Sequence, residues 1–407
     1  MKHADVVISG AGMVGLPLGL ALAQGGLKTV IVDAAPPARA LAPNFDGRVS
    51  ALAYASVRML TALGVWGGLE PHAQPIHEIL VTDGAEGKPA SPFSLHFDAE
   101  EIGAKALGHI AENRHIRMAL HEAVARQTNL ELTAPASVKS LAVEAGRATV
   151  TLAGGEEVTA ALVIAADGRE SRLRIEMGIG VIGWSYPQTG IVATVEHERP
   201  HNGVAYEHFL PSGPFAILPM TGNRSSLVWT EAKIKAPGLL AMDEPVFHAE
   251  LARRFGSHLG ETRAARPRWS YALAFHLARE FVRPRLALAG DCAHGIHPIA
   301  GQGLNLGLKD AAALAEVLLD AARLGRDIGA LDTLKRYERW RRFDSFMLAA
   351  STDALNRLFS NDIAPLRHLR DLGLGIVDAI GPARRFFMRH AGGDIGKLPR
   401  LMKGEAA

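Results

Sequence analysis

The 407-residue chain is long enough for one large or two modest domains, and 48% hydrophobic with 21% charged content is the balance of a soluble globular protein. Its 44 Lys and Arg nearly cancel 42 Asp and Glu, and a net charge of +2 gives no support for nucleic-acid binding as the main task. The single cysteine, Cys292, excludes an intramolecular disulfide and predicts a reducing, cytoplasmic compartment.

The start predicts strand, glycine turn, helix and strand: an apolar strand over 5–9, a helix over 13–24 and a β-branched strand over 28–33. The uncharged run 6–23 has the length of a membrane span, but Gly10, Gly12, Gly15, Gly19 and Pro17 interrupt it. Its flanks lack the pattern of an export signal. A Pro/Ala-rich loop follows, then an amphipathic stretch over 48–66 that reads as a helix ending at Gly67-Gly68. Short alternating segments begin near 76, and 113–127 is helical. Two strands flank Gly154-Gly155, and a buried strand over 161–166 delivers Asp167-Gly168. Residues 185–235 are strand-rich, 286–289 is another buried strand, and 305–323 and 333–359 are helices.

The chain therefore predicts an interleaved α/β protein. A nucleotide-binding unit uses 1–70, 100–185 and 275–330. A mainly β unit uses 71–99 and 186–274, and 331–407 forms a basic helical region.

Three strand ends carry the chemistry. Gly10-Ala-Gly12-Met-Val-Gly15 lies between strand and helix, where a turn without side chains lets N–H groups approach a pyrophosphate. Asp33, at the end of the next strand, suits the hydroxyls of an adenosine ribose. This motif alone does not separate FAD from NAD. Asp167-Gly168 ends a second strand at the edge where α/β sheets bind ligands. Gly290-Asp291 ends a third, and Asp291 suits a ribityl chain. Beyond it, Gly301-Gln-Gly303-Leu304-Asn305 opens a helix whose N-terminus favours negative charge on a flavin ring. Cys292, His294 and His297 have a C-x-H-x-x-H spacing, but no second Cys/His pair with ligand spacing accompanies it. A metal site is set aside, and Cys292 and His294 are expected to pack.

In this order and spacing the motifs resemble the FAD-dependent aromatic hydroxylases related to p-hydroxybenzoate hydroxylase. The segment 297–310, HPIAGQGLNLGLKD, is similar to the signature of the ubiquinone-biosynthesis hydroxylases within that group. Residues 46–52 (DGRVSAL), 107–113, 206–219 (YEHFLPSGPFAILP) and 337–342 (YERWRR) resemble the family too, with Lys309 where arginine is common. The resemblance covers nearly the whole chain. It implies a Rossmann-like FAD-binding domain of the glutathione-reductase type, an inserted β-sheet substrate domain and a C-terminal helical region.

By the same resemblance, Gly10, Gly12, Gly15 and Asp33 hold the AMP half of FAD. Arg48 and Arg117 contact its phosphate or ribityl part, and Asp167 and Gly168 serve FAD and pyridine nucleotide. Asp291 holds the ribityl hydroxyls, while Pro298, Gly301, Gly303, Leu304 and Asn305 line the flavin ring. His297 and Pro298 are the catalytic candidates, His297 either orienting the loop or facing substrate. The implied reaction hydroxylates a polyprenylated phenol or quinol with O₂ through a flavin C4a-hydroperoxide. NAD(P)H is the expected reductant, by transient contact or an outside donor, since no second GxGxxG occurs. The segment 204–229 should roof the pocket. Tyr206 and His208 lie in it, but no base is identified. An isoprenoid substrate implies contact with the inner membrane face or with other ubiquinone-biosynthesis proteins. Leu366, Leu369, Gly373, Ile376, Val377 and Ile380 at helical spacing, then Arg384, Arg385, Phe386, Phe387 and Arg389, suit such a surface. Two alternatives stay open: a hydroxylase of a small soluble phenol, and a non-catalytic flavin-binding component of a quinone-synthesis complex.

Overall fold

The computed structural model describes residues 2–42, 47–84, 94–264, 267–361, 370, 373, 375, 377–393 and 396–407. Asp46 of the 46–52 motif and Leu366, Leu369 and Ile376 of the C-terminal pattern lie outside the described residues.

The apolar runs of the sequence become the centre of a six-stranded sheet. Its order is Val282–Arg283, Leu286–Leu288, Leu162–Ala165, Val6–Ser9, Thr29–Val32 and Leu130–Thr133. The last five run parallel. Val6–Ser9, Thr29–Val32 and Leu162–Ala165 are buried at every residue, because both faces of a parallel sheet are covered. Helices Gly15–Gln24 and Gln302–Arg323 pack together on it, with Gly25 against Leu319. Lys2–His3, Glu157–Ala160, Arg147–Leu152 and Val138–Glu144 form a four-stranded sheet.

A nine-stranded sheet forms the second layer. Its main strands are Glu78–Asp83, Ser94–Asp98, Val181–His197, Val204–Leu210, Gly213–Met220, Arg224–Ala232 and Trp269–Ala278. Val181–His197 and Trp269–Ala278 reach a few residues into segments that the sequence assigns to the nucleotide unit. One face packs on helix Glu244–Phe255 through Phe215, Leu227, Trp229 and Phe247. The other turns Leu95, Phe97, Ala205, Phe209 and Met220 toward Ile299 of the motif loop.

The stretch 48–66 differs from the sequence reading. Val49–Ala53 is a strand, paired with Gly108–Glu112, which also pairs Ala73–Ile76. The helix runs only over Tyr54–Ala62, and Gly67-Gly68 lies inside the short helix Trp66–Leu69. Ala and Leu favour helix locally, but pairing with a neighbouring strand overrides that weak preference.

Candidate active site

The parallel register sets Ser9 and Leu288 on either side of Ala165, so the three motif-bearing strand ends lie side by side. Gly10 has φ +110, and a Cβ there would stand 2.3 Å from the Ala166 carbonyl oxygen. A Cβ on Gly15 would stand 2.0 Å from the carbonyl oxygen of Gly10. These two glycines let the chain turn against itself. Gly12 differs: a Cβ there meets no protein atom within 4 Å, which leaves its backbone open to a ligand. Pro17 falls in the first turn of helix Gly15–Gln24, where the N–H it lacks has no helical partner in any case.

Asp33 ties this turn to its own strand end, accepting from the N–H groups of Ala11 (2.7 Å) and Ala35 (2.8 Å). A carboxylate has about four acceptor positions, so capacity for ribose hydroxyls remains. Arg117, half-buried on helix Asn113–Ala125, sits at the same end. Its charge and that of Asp33 act in opposite directions on His121, which burial holds below its ordinary value. Arg48 is exposed at the head of strand Val49–Ala53, and its charge reaches Tyr271 on the nine-stranded sheet.

Asp167 is largely buried, and its Oδ1 has no hydrogen-bond partner among the described residues. Burial pushes this carboxyl up, against a hydrogen bond from Ser171. An orphaned acceptor at a strand end is a group that a ligand hydroxyl would satisfy. Gly168 follows with φ +88. Asp291 opens the turn Gly290–Cys292 with its side chain exposed.

That turn is held from behind by ionic contacts absent from the sequence reading. Asp310 Oδ2 accepts from the Gly290 N–H (3.0 Å) and pairs with His294 Nε2 (2.5 Å). Its Oδ1 accepts from Arg341 Nε at 2.8 Å, and Arg341 Nη1 donates to Asp344 at 2.9 Å. His294 is thus a hydrogen-bond partner of Asp310 rather than simple packing. Tyr337 donates to the Leu288 carbonyl (2.8 Å), so Tyr337 and Arg341 both brace this strand end. A charged residue on the buried face of an amphipathic helix was the available signal. Cys292 directs its S–H to the carbonyls of Ala165 (2.7 Å) and Ala289 (3.2 Å), and burial raises its pKa well above the ordinary value. No three His, Cys, Asp or Glu residues among those described gather at metal-binding geometry.

The loop beyond Asp291 packs against strand Val49–Ala53. Pro298 caps the turn Ile299–Gly301, and Gly301 adopts φ 62, where a Cβ would stand 3.1 Å from Ala51 Cβ. Helix Gln302–Arg323 starts at once, with Gly303 open on its Cβ side and Leu304 half-buried. Asn305 turns away: its Oδ1 accepts from the Ala53 N–H (3.0 Å) and Ser56 (2.8 Å), and its Nδ2 donates to Ala51 (2.8 Å). It fastens the helix to strand Val49–Ala53, leaving its backbone as the part available to a flavin. His297 is 1% exposed, edge-on to Tyr186 at 5.1 Å, and neither ring nitrogen has a hydrogen-bond partner among the described residues. Burial pulls it down to about 4, against the charge of Asp353, so it is neutral at physiological pH. Tyr206 and His208 point to the opposite face of their strand, Tyr206 onto His258 and His208 onto Thr82.

The open faces at Gly12 and Gly303, the orphaned Asp167 oxygen and the exposed Asp291 are the groups at these strand ends that a ligand could engage. Fold and site together define a dinucleotide-binding flavoprotein whose motif loop packs against the apolar face of a β-sheet. Residues 3–343 match the family described as an FAD binding domain. Ubiquinone hydroxylase UbiL of Rhodospirillum rubrum is 50% identical, over 99% of this chain and 93% of that protein. The 3-demethoxyubiquinol 3-hydroxylase of Escherichia coli is 36% identical over 96% and 98% of the two chains. The human ubiquinone biosynthesis monooxygenase COQ6, mitochondrial, is 32% identical over 95% and 92%. Among solved structures, p-nitrophenol 4-monooxygenase PnpA from Pseudomonas putida superposes with a TM-score of 0.80, covering 98% and 100% at 19% identity, a likeness of fold. The chain belongs to the FAD-dependent ubiquinone hydroxylase family. It is a flavoprotein monooxygenase with FAD as its cofactor.

Proposed function

We propose that the protein hydroxylates the aromatic ring of a polyprenylated phenol or quinol on the route to ubiquinone, using O₂ and electrons from NAD(P)H. The observation that carries this reading is the apolar cluster where the roof meets the motif loop. Val81, Leu95, Phe97, Phe209 and Met220 gather with Ile299 there, an apolar environment suited to a lipid-like ring. FAD would be held at Gly10–Gly15, Asp33, Asp167 and Asp291, with its ring against Pro298–Leu304. When bound it supplies the redox and oxygen chemistry. The chain contributes position, dryness and charge. The positive dipole at the start of helix Gln302–Arg323 would favour negative charge on the flavin ring, and the roof sheet would help to exclude water. Complementation of strains each blocked at one ring hydroxylation, with quinone intermediates identified by mass, tests the reading. Restoration of one step is expected. Growth on no strain, together with turnover of free hydroxybenzoate by the purified protein, favours the soluble-phenol alternative.

We further propose peripheral contact with the inner membrane face. Among the described residues no helix is long and apolar enough to cross a membrane. Helix Leu331–Phe359 nevertheless turns Phe343 (67% exposed), Phe346 and Met347 to solvent. Phe343 and Phe346 border a cavity of about 600 Å³ that Trp184 and Phe275 also line, with Arg339 and Arg342 alongside. Arg385, Phe386 and Arg389 are exposed on helix Gly381–Ala391. Apolar rings beside basic residues suit an anionic interface. A Phe343→Ser/Phe346→Ser variant is expected to retain FAD and to lose flotation with anionic vesicles. Unchanged flotation contradicts this surface.

A further inference from the structure

Strand Val204–Leu210 alternates its side chains between the two faces of the roof. Ala205 and Phe209 enter the apolar cluster closed by Ile299, while Tyr206 packs against the cluster on the other side. Glu207 lies between Ala205 and Phe209, on their face. Its cross-strand partners are Ala216 and Val81, and Val81 belongs to the same cluster. The roof therefore places the Glu207 carboxyl on the face of this apolar cluster. Glu207 is only partly covered and keeps some of its surface accessible.

Among the described residues its carboxyl makes no hydrogen bond or ion pair. The charged groups of this face are engaged elsewhere: Asp83 with Arg370 at 2.9 Å, Arg224 with Glu112 at 3.5 Å. Arg48, from the adjoining small sheet, acts on Tyr271. Asn356 of helix Leu331–Phe359, packed against the roof, is neutral and bonds Gln188. Burial alone pushes the Glu207 carboxyl up to about 8. An uncompensated carboxyl in an apolar space opposes folding, and such groups cluster at sites of chemistry.

We propose that Glu207 is the catalytic base of the reaction, hydrogen-bonding the ring hydroxyl of the substrate and taking its proton. The phenol O–H bond breaks, the proton passes to the Glu207 carboxylate, and the electron pair stays on the phenolic oxygen. That oxygen then feeds electron density to the ring carbon that receives oxygen from the flavin and O₂. The carbon's own proton is lost as the ring regains aromaticity, and Glu207 returns its proton to water before the next cycle. A carboxylate of raised pKa is a stronger base than an ordinary one, which narrows the gap to a phenol near 10. The inference rests on the ring-hydroxylase reading.

Two measurements on the full-length FAD-bound protein, with Glu207→Gln and Glu207→Asp, test it. Without substrate, difference infrared spectra from pH 6 to 9 should show a carboxylic-acid C=O band in the wild type. That band should vanish with a midpoint near 8 and be absent in Glu207→Gln. With prenylated phenol, wild-type hydroxylation should rise through the same pH range. Glu207→Gln should retain FAD and consume NAD(P)H, yet lose the pH-dependent limb and about 10²-fold or more in product formation. Glu207→Asp should keep the limb at a lower rate. Equal product and an unchanged pH profile in Glu207→Gln would overturn the base, as would a C=O band that titrates identically in it. Absence of product from the wild type would instead overturn the hydroxylase reading, with the infrared titration still reporting on Glu207.

Discussion

Arg341→Met is expected to cost about 3–5 kcal/mol of stability, because it removes one partner of a buried ion pair and leaves the other charged. Arg341 and Asp310 are both 0% exposed, and Asp310 also holds the Gly290 N–H and His294. Met fills much of the arginine's volume, so the loss reports the charge rather than a cavity. The Gly290-Asp291 turn should shift with it, and FAD should be released at lower denaturant than in the wild type. Urea unfolding followed by flavin fluorescence and by circular dichroism would check both points.

The same cluster sets an acid limit. Burial alone would raise the Asp310 carboxyl, but the charges of His294 and Arg341 prevail and hold it below its ordinary value of 3.8. The unfolded chain therefore binds more protons than the folded one in that window. Asp310's contribution is complete above pH 3.8 and is lost as pH falls through the lower folded value. In Arg341→Met much of that depression should disappear, and acid unfolding should begin at higher pH.

The second large effect separates two roles of the glycine turn. Gly15→Ala places a Cβ 2.0 Å from a backbone oxygen, so the turn itself must move. A loss of about 1–3 kcal/mol is expected in the FAD-free protein, with weaker FAD binding as a consequence. Gly12→Ala meets no protein atom within 4 Å, so the FAD-free protein should unfold at the wild-type midpoint. Its Cβ would instead occupy the approach of the pyrophosphate, and FAD affinity should fall roughly 10- to 100-fold. Calorimetry of the FAD-free proteins and fluorescence titration with FAD distinguish the two. Undiminished affinity in Gly12→Ala would move the pyrophosphate elsewhere.

The parts legible in the sequence are those with strong local grammar. Continuous apolar runs at 5–9, 161–166 and 286–289 marked strands buried on both faces, and glycine or Asp-Gly at their ends marked the ligand edge. Strand Val49–Ala53 escaped because its identity comes from Gly108–Glu112, more than 50 residues away, while its own residues favour a helix. Asn305 was readable as part of a signature, yet its side-chain direction depends on where Ala51, Ala53 and Ser56 arrive. His294, Asp310 and Arg341 come from separate segments, so only the fold reveals their pairing. Glu207 shows the same limit in another form. A glutamate in a strand is ordinary until the register shows which face it shares, and with what.

The central claim is that O₂ delivers one oxygen atom to the ring of a prenylated phenol bound beneath the roof. The most direct measurement supplies ¹⁸O₂ to the purified FAD-bound protein with NAD(P)H and a short-chain prenylated phenol, then weighs the product by mass spectrometry. One ¹⁸O atom in the ring of each product molecule is the predicted result. Consumption of NAD(P)H and O₂ with no labelled ring, or a new hydroxyl carrying oxygen from water, would contradict it.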